Sequence, residues 1–399
     1  MSRVAITGAL SYTGRYLTRL LLDTTPVSSI VSFSSRTNPI ASNNITSEDI
    51  AKIQTTPLTF DDLDNVKRQL EGVGVFYCTY WIRFEANGDT HQKAAARIRS
   101  VFEAAAEAGV KKVVFSAHNR MSTDSPFSYI AGKATAVESL REVSAATGMN
   151  YAVVRPCGLF GDTPGESILM NNAAWVLRRT PIFLLPGDGA GRFQPVHVRD
   201  MAELMAGLGT RSVETSGEEK DACGPDCPTG KELFTRLGGS IGAPATVVAT
   251  GLPNGVVSAL TQPINWLHGD VLLDNDDLSL LSNSITTADE PDDPLIQKRR
   301  SLFEWIDSVK DDLGREYVSS FARYYKILGT AYARRSSVAV FLSFELQGAP
   351  WGDETSQVHG GSWNILEKSS QTALELLERR RLPNKGDCEE TARPPSHAS

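Results

Sequence analysis

The sequence is poor in the features that mark secreted, membrane-spanning or nucleic-acid-binding proteins. Only five of its 399 residues are cysteine, too few for a disulfide framework, and the odd count leaves at least one thiol unpaired. A reducing compartment, the cytoplasm, is therefore expected. No stretch approaches the roughly 18 consecutive apolar residues needed to cross a bilayer, so no membrane association is expected. No charged leader with an apolar core precedes the first apolar segment, so a cleaved secretory signal is not expected either. Acidic side chains outnumber basic ones by 47 to 40, giving a formal net charge of −7 and no global basic field for nucleic acid. Cys223 and Cys227 stand four apart, but no second close pair completes the four ligands of a structural zinc site, and no metal is expected.

What remains is an ordinary globular composition, 41% hydrophobic and 22% charged, with a clear alternation of elements. Short apolar runs at 4–7, 30–33, 57–60, 73–80, 113–115 and 151–155 predict six strands. Helical spacing predicts intervening helices at 14–22, 63–70, 91–108 and 129–147, the last two stopping at Gly109 and Gly148. Such alternation predicts an α/β fold with a doubly wound parallel sheet of Rossmann type. Further helices are expected at 168–179, 199–208, 231–241, 276–281 and 301–325, with a short strand at 196–198 and a loop at 286–294. The expected organisation is a dinucleotide-binding core over 1–160, a smaller substrate lobe over 161–325 packed on it, and a partly disordered C-terminal extension over 326–399.

The first strand runs into Gly8-Ala9-Leu10-Ser11-Tyr12-Thr13-Gly14-Arg15. A dinucleotide needs such a junction: a tight turn, backbone N–H groups open to pyrophosphate, and a helix N-terminus whose dipole favours negative charge. Gly8 suits the turn and Gly14 the close approach of helix to strand; Ser11 stands where a middle glycine is usual. After the second strand an acidic residue would bind the ribose of NAD, whereas an arginine accommodates the 2′-phosphate of NADP. The sequence there is Ser34-Ser35-Arg36, with no carboxylate, and Arg15 adds charge. NADP is the expected cofactor, with NAD as the alternative. Asp61 and Asp62 are placed either to meet adenine or to cap the following helix.

Tyr129 and Lys133 lie four residues apart, on one face of a helix. Reduction of a carbonyl needs a proton donor beside the hydride acceptor. A tyrosine, with an ordinary pKa of about 10, becomes a better acid near a lysine ammonium, which can also hydrogen-bond the nicotinamide ribose.

Together, the segment from Thr7 to Arg15, the Tyr129–Lys133 pair and Arg155-Pro156-Cys157-Gly158-Leu159-Phe160-Gly161 resemble the short-chain dehydrogenase/reductase superfamily. The closer similarity is to its atypical branch: NmrA-like and complex I accessory-subunit-like NAD(P)-binding proteins with the Rossmann fold of NAD-dependent epimerases and dehydratases. Phe193-Gln194-Pro195-Val196-His197-Val198-Arg199-Asp200, Thr79-Tyr80-Trp81-Ile82-Arg83-Phe84 and Gly269-Asp270-Val271-Leu272-Leu273 extend the resemblance over roughly residues 1–325. It implies hydride transfer between nicotinamide and a small carbonyl, enone or imine. Tyr129 would be the general acid/base, Lys133 would orient the ribose, and Ser116, 13 residues before Tyr129, would hold the carbonyl oxygen, with Ser122 and Thr123 as competing positions for that role. Trp81, His118, Asn119, Asn171, Trp175 and Phe193, with Tyr80, would line the substrate pocket. Trp81 and Trp175 could equally be core residues. Two other functions compete: a non-catalytic NAD(P)-binding redox sensor or assembly subunit, and an epimerase or dehydratase needing one more acid–base group. The expected partner is a small molecule; the pattern does not specify an oligomeric state.

Overall fold

Seven parallel strands form the central sheet in a computed structural model of the chain. It describes residues 2–24, 27–34, 45–83, 85, 88–210, 215–253, 255–257, 259, 284, 286–288, 293–296 and 298–318. All of these fall in the first of two contact units, residues 1–343; the second, 344–399, lies outside the described residues.

The first half of the chain reads β1 (Ser2–Thr7), α1 (Tyr12–Thr24), β2 (Val27–Phe33), α2 (Ser47–Ile50), β3 (Ile53–Thr56), α3 (Leu63–Leu70), β4 (Val73–Cys78), α4 (His91–Glu107), β5 (Lys112–Ser116), α5 (Ser128–Thr147) and β6 (Asn150–Pro156). The second half adds β7 (Leu159–Phe160), a 3-10 turn (Pro164–Glu166), α6 (Ile168–Arg179), β8 (Ile182–Leu185), β9 (Val196–His197), α7 (Val198–Thr210), β10 (Glu218–Ala222), α8 (Gly230–Ser240), β11 (Thr246–Ala249) and α9 (Leu302–Val309). The sheet order is β3-β2-β1-β4-β5-β6-β10. Strand order therefore reverses between β1 and β4, and the carboxyl ends at that switch point are where such sheets bind ligands.

Both sheet faces are covered, which is why the strands read as near-continuous apolar runs. On one face Phe33, Phe76 and Phe115 pack under Val66, Leu70, Ile98, Phe102 and Leu140 of α3, α4 and α5. On the other, Ile6, Ile30, Val114 and Val154 meet Leu17 and Leu21 of α1 and Met201 and Met205 of α7. A further core joins Leu177, Phe183, Phe234, Leu237 and Ile306 from α6, β8, α8 and α9. After β6 the chain thus builds this second core, yet returns to the sheet with α7 and β10.

Beyond the short elements α2, β7, β8 and β11, which the sequence reading did not include, three differences stand out. The third strand is Ile53–Thr56, not 57–60: its β-branched residues pair with β2, and Pro57 ends it because proline has no N–H for the ladder. The seventh strand, Glu218–Ala222, was not expected, because its polar residues show no apolar pattern. It is held on β6 by the ladder and by ion pairs, Arg155 with Asp221 at 2.7 Å and Arg141 with Glu219 at 2.6 Å. The helix expected over 301–325 ends at Val309. Gly314, at φ +73°, turns the chain against α6, where a Cβ would lie 2.4 Å from the Ala174 carbonyl carbon. The expected helix at 276–281 and the expected C-terminal extension lie outside the described residues.

Asp226, within the segment between Cys223 and Cys227, accepts from Ser301 Oγ and the Leu302 N–H, each at 2.7 Å, and so caps α9. Asp226→Ala is expected to lower stability by about 1–2 kcal/mol in urea unfolding, the usual loss of a helix cap. An unchanged midpoint would show that the cap contributes nothing.

Candidate active site

The site begins at the β1–α1 turn. Gly8 adopts φ +67°, in the region that favours glycine, and donates its N–H to the Phe33 carbonyl at 2.7 Å. A Cβ on Gly14 would lie 1.9 Å from the Gly8 carbonyl oxygen, so only glycine lets the helix start this close to the strand. Ser11 has a role of its own: its Oγ accepts from the Gly14 N–H at 3.3 Å and caps α1. Tyr12 and Thr13 follow, half-buried, in the first turn. A glycine cradle opening into a helix N-terminus at the switch point fits a dinucleotide pyrophosphate.

The adenosine end is partly described. Ser34 stands at the end of β2, its N–H donated to the Thr56 carbonyl at 2.8 Å. Ser35 and Arg36 lie outside the described residues. The Arg15 guanidinium, early in α1, is ion-paired with Glu166. Asp62 is the cap of α3, accepting from the Asn65 N–H at 3.0 Å, with Asp61 exposed beside it. Capping is thus the role shown for Asp62.

The residues expected to be catalytic lie near the carboxyl edges of β4 and β5. Thr7 and Thr79 tie the ends of β1 and β4 together: Thr7 Oγ1 accepts the Thr79 N–H at 2.6 Å, and Thr79 Oγ1 donates to the Thr7 carbonyl at 2.7 Å. One strand over, the Lys133 ammonium donates to the Ser116 carbonyl at 2.6 Å. It also sits 4.6 Å from the Trp81 ring centre and 4.9 Å from that of Phe115. Lys133 is only 2% exposed, and burial lowers its pKa to about 7. The same burial pushes the neighbouring Cys78 thiol up to about 12.

Tyr129 opens α5, half-buried, with its ring edge-on to Trp81, His91 and His118 at 6.2, 5.4 and 5.9 Å between centres. The Arg83 guanidinium lies 5.7 Å from the same ring centre. His118 donates its Nδ1–H to the Asn119 carbonyl at 2.7 Å, and burial lowers its pKa to about 4. The ring is therefore neutral at pH 7. Gly132 permits this crowding, since a Cβ there would lie 2.9 Å from His91 Cβ and 3.1 Å from the Trp81 ring.

Tyr129, Lys133, Ser116, Trp81 and His118 are thus brought together. The other expected pocket residues are not, and their surroundings give them structural roles. Asn119 is buried, its side-chain amide donating to the Thr287 carbonyl at 2.9 Å. Asn171 clasps the segment beyond α9, donating to the Glu316 carbonyl at 2.9 Å and accepting from the Gly314 N–H at 3.0 Å. Trp175 packs edge-on against Tyr317 in the same segment. Phe193 is buried in the second core. It also faces Gly158, where a Cβ would lie 3.0 Å from its ring. Sequence spacing gave no link from His91 or Arg83 to Tyr129, because both approach from the loop and helix start that follow β4.

A buried lysine with a lowered pKa has a pH signature. Between about pH 7 and its ordinary value near 10.5 the unfolded chain holds a proton that the folded chain has lost. Stability of the ligand-free protein should therefore rise with pH across that window. Lys133→Met should flatten this rise in unfolding measured at pH 7, 8.5 and 10; an identical slope in both proteins would contradict the assignment.

Comparison with known proteins agrees with this geometry. Residues 4–218 match the NAD dependent epimerase/dehydratase family. No curated protein sequence matches the chain. Among solved structures, the Citrobacter sp. triphenylmethane reductase complexed with NADP(H) superposes with a TM-score of 0.60 at 15% identity, over 77% of this chain and 99% of that one. The NADPH-dependent quinone oxidoreductase of Escherichia coli, complexed with NADPH, gives 0.52 at 19% identity, over 85% and 99%. The dTDP-glucose 4,6-dehydratase of Streptomyces venezuelae, as a double mutant with NAD bound, gives 0.50 at 21% identity, over 62% and 84%. At these identities the likeness is one of fold, and that fold holds nicotinamide dinucleotides in all three. The sequence match covers more than half of the chain, including the glycine turn, the Tyr129–Lys133 helix and strands β1 to β6 of the central sheet, and the chain belongs to the NAD-dependent epimerase/dehydratase family.

Proposed function

We propose that the protein is an NADP-dependent oxidoreductase acting on a small organic carbonyl, enone or imine, with Tyr129 as general acid/base. The observation that carries this reading is the gathering of Tyr129, Lys133 and the end of β5 beside the switch point, two strands from the glycine turn. The bound nicotinamide supplies or accepts the hydride. Gly8, Ser11, Tyr12, Thr13 and Gly14 hold the pyrophosphate, and Ser34, Ser35 and Arg36 the adenosine end. The Lys133 ammonium, with one N–H on the Ser116 carbonyl, keeps donors for the nicotinamide ribose hydroxyls. Its charge favours the ionised phenol of Tyr129. Ser116 holds the substrate oxygen, and Trp81 and His118 form an aromatic wall that excludes water and suits a planar or aromatic substrate.

The structural neighbours named for quinone and triphenylmethane reduction guide the choice of probes. We expect oxidation of NADPH in the presence of 1,4-naphthoquinone, cinnamaldehyde, a cyclic imine or malachite green, measured with purified protein. Tyr129→Phe should lower kcat for any active probe by about 10²–10⁴-fold, the usual range for loss of a general acid, while NADPH affinity is retained. Equal rates in both proteins would exclude Tyr129 as the proton donor. NADPH binding without turnover of any carbonyl by the wild type would instead support a non-catalytic sensor or subunit.

Cofactor preference is separately testable. Arg36→Ala should weaken NADPH binding tenfold or more and leave NADH binding nearly unchanged, because only the 2′-phosphate is lost as a partner. Equal losses for both cofactors would contradict the phosphate role.

A further inference from the structure

Cys223 and Cys227, four apart in sequence, gain a third thiol from the fold. Strands β6 and β10 run parallel, with Arg155 opposite Asp221 and Pro156 opposite Ala222. The Cys157 N–H then donates to the Ala222 carbonyl at 3.0 Å, carrying the ladder past its last pair. One step further along the two chains stand Cys157 and Cys223. Side chains two apart on a strand share a face, so both thiols lie on the side where Arg155 meets Asp221. Neighbouring strands stand about 4.7–4.9 Å apart, within the roughly 4.4–6.8 Å between Cα atoms that a disulfide spans.

Electrostatics bring Cys227 to the same place. Burial raises the Cys157 pKa, and Cys223, Asp221 and Cys227 raise it further against the pull of Arg120. Burial also pushes the Cys223 thiol up to about 11, opposed by Arg299 and reinforced by Asp221 and Cys227. All three residues are present as thiols. Cys157 and Cys223 are fully buried and resist ionisation, whereas Cys227 is half-buried. Only a thiolate attacks an oxidant, so Cys227 is the thiol placed to meet one.

The segments that meet here lead to the active site and to the second core. The Pro156 carbonyl accepts the Asn119 N–H at 3.3 Å, next to His118. Across the ladder, the Gly224 carbonyl accepts from the Gln194 amide at 3.1 Å, and the Cys227 carbonyl accepts from Arg192 at 2.7 Å. Asp226, between them, caps α9.

We propose that Cys157, Cys223 and Cys227 form a dithiol–disulfide switch oxidised by hydroperoxides, with Cys227 as the entry thiol and a Cys157–Cys223 bridge as the product. The Cys227 thiolate attacks the peroxide, the O–O bond breaks, and Cys227 becomes a sulfenic acid. The other oxygen leaves as an alcohol, carrying the proton that Cys227 lost. Cys223 sulfur then displaces the sulfenic hydroxyl, which departs as water with the Cys223 proton, and a Cys223–Cys227 disulfide forms. Cys157 attacks the Cys223 sulfur: the cross-strand bond forms, the bond to Cys227 breaks, and Cys227 takes the proton that Cys157 loses. In sum two thiols give up two electrons and one O–O bond is reduced. The bridge clamps the end of β6, whose Pro156 carbonyl holds Asn119 beside His118, and turnover slows. That effect on turnover rests on the oxidoreductase reading above; the bridge itself does not.

The test treats the reduced full-length protein with a small excess of tert-butyl hydroperoxide and maps its non-reduced peptides by mass spectrometry. The expected product is a Cys157–Cys223 crosslink that dithiothreitol reverses, with a urea midpoint above that of the reduced protein. Probe reduction should fall by about tenfold or more, the scale of loss when site groups are displaced. Cys227→Ser should slow formation of the same bridge, and Cys223→Ser should abolish it and leave a sulfenic acid on Cys227 that dimedone traps. No crosslink in the wild type, or one joining only Cys223 and Cys227, would overturn the switch whatever the enzyme does. A Cys157–Cys223 bridge with unchanged turnover would overturn its link to the site. Failure of the reduced wild type to bind NADPH would overturn the oxidoreductase reading alone.

Discussion

A lysine ammonium held inside the protein by one carbonyl and two aromatic faces is the interaction on which the site depends. Lys133 links α5 to the end of β5 through Ser116 and to the segment after β4 through Trp81. These are the pieces that must meet for chemistry beside a nicotinamide. Burying a charge with so little compensation is unfavourable, and the lowered pKa expresses that. Ribose hydroxyls or a phenolate close by would restore what burial removes. The fold therefore keeps a group that is poorly satisfied alone and better satisfied when the site is filled.

The glycine turn sets the opposite kind of constraint. Gly14 has no freedom to become anything larger, because the Gly8 carbonyl occupies the place of its side chain. That contact fixes how α1 leaves β1 and so where its N-terminus points. Ser11 shows how a departure from the usual glycine can be absorbed: the hydroxyl becomes the helix cap. The ring of side chains around Tyr129 depends in the same way on Gly132, one turn along α5. Two absent side chains thus position both halves of the site.

Much of the architecture was legible in the sequence. The apolar strands, the long helices and the glycine turn are local features, and each was read close to its observed place. The elements misplaced were those whose stability is not local. Strand β10 carries charge where a strand usually carries apolar residues; its ladder joins it to β6, and Arg155 and Arg141 pair with its carboxylates. Asn171 and Trp175 looked like pocket residues because polar and aromatic groups on a helix suggest recognition. The structure spends them on a segment some 140 residues distant in sequence. The same limit hid His91, whose ring contact with Tyr129 depends on the path of the chain after β4. Arg15 was legible as a cation, but its partner Glu166 was not.

Every step proposed for the site requires dinucleotide binding at the β1–α1 turn. The most direct measurement is calorimetric titration of NADPH into the wild type and into Gly14→Ala at pH 7, with circular dichroism to follow the fold. One saturable site per chain in the micromolar range, weakened at least tenfold in a variant that keeps its secondary structure, is the predicted result. No binding by the wild type, or equal binding by both proteins, would contradict it.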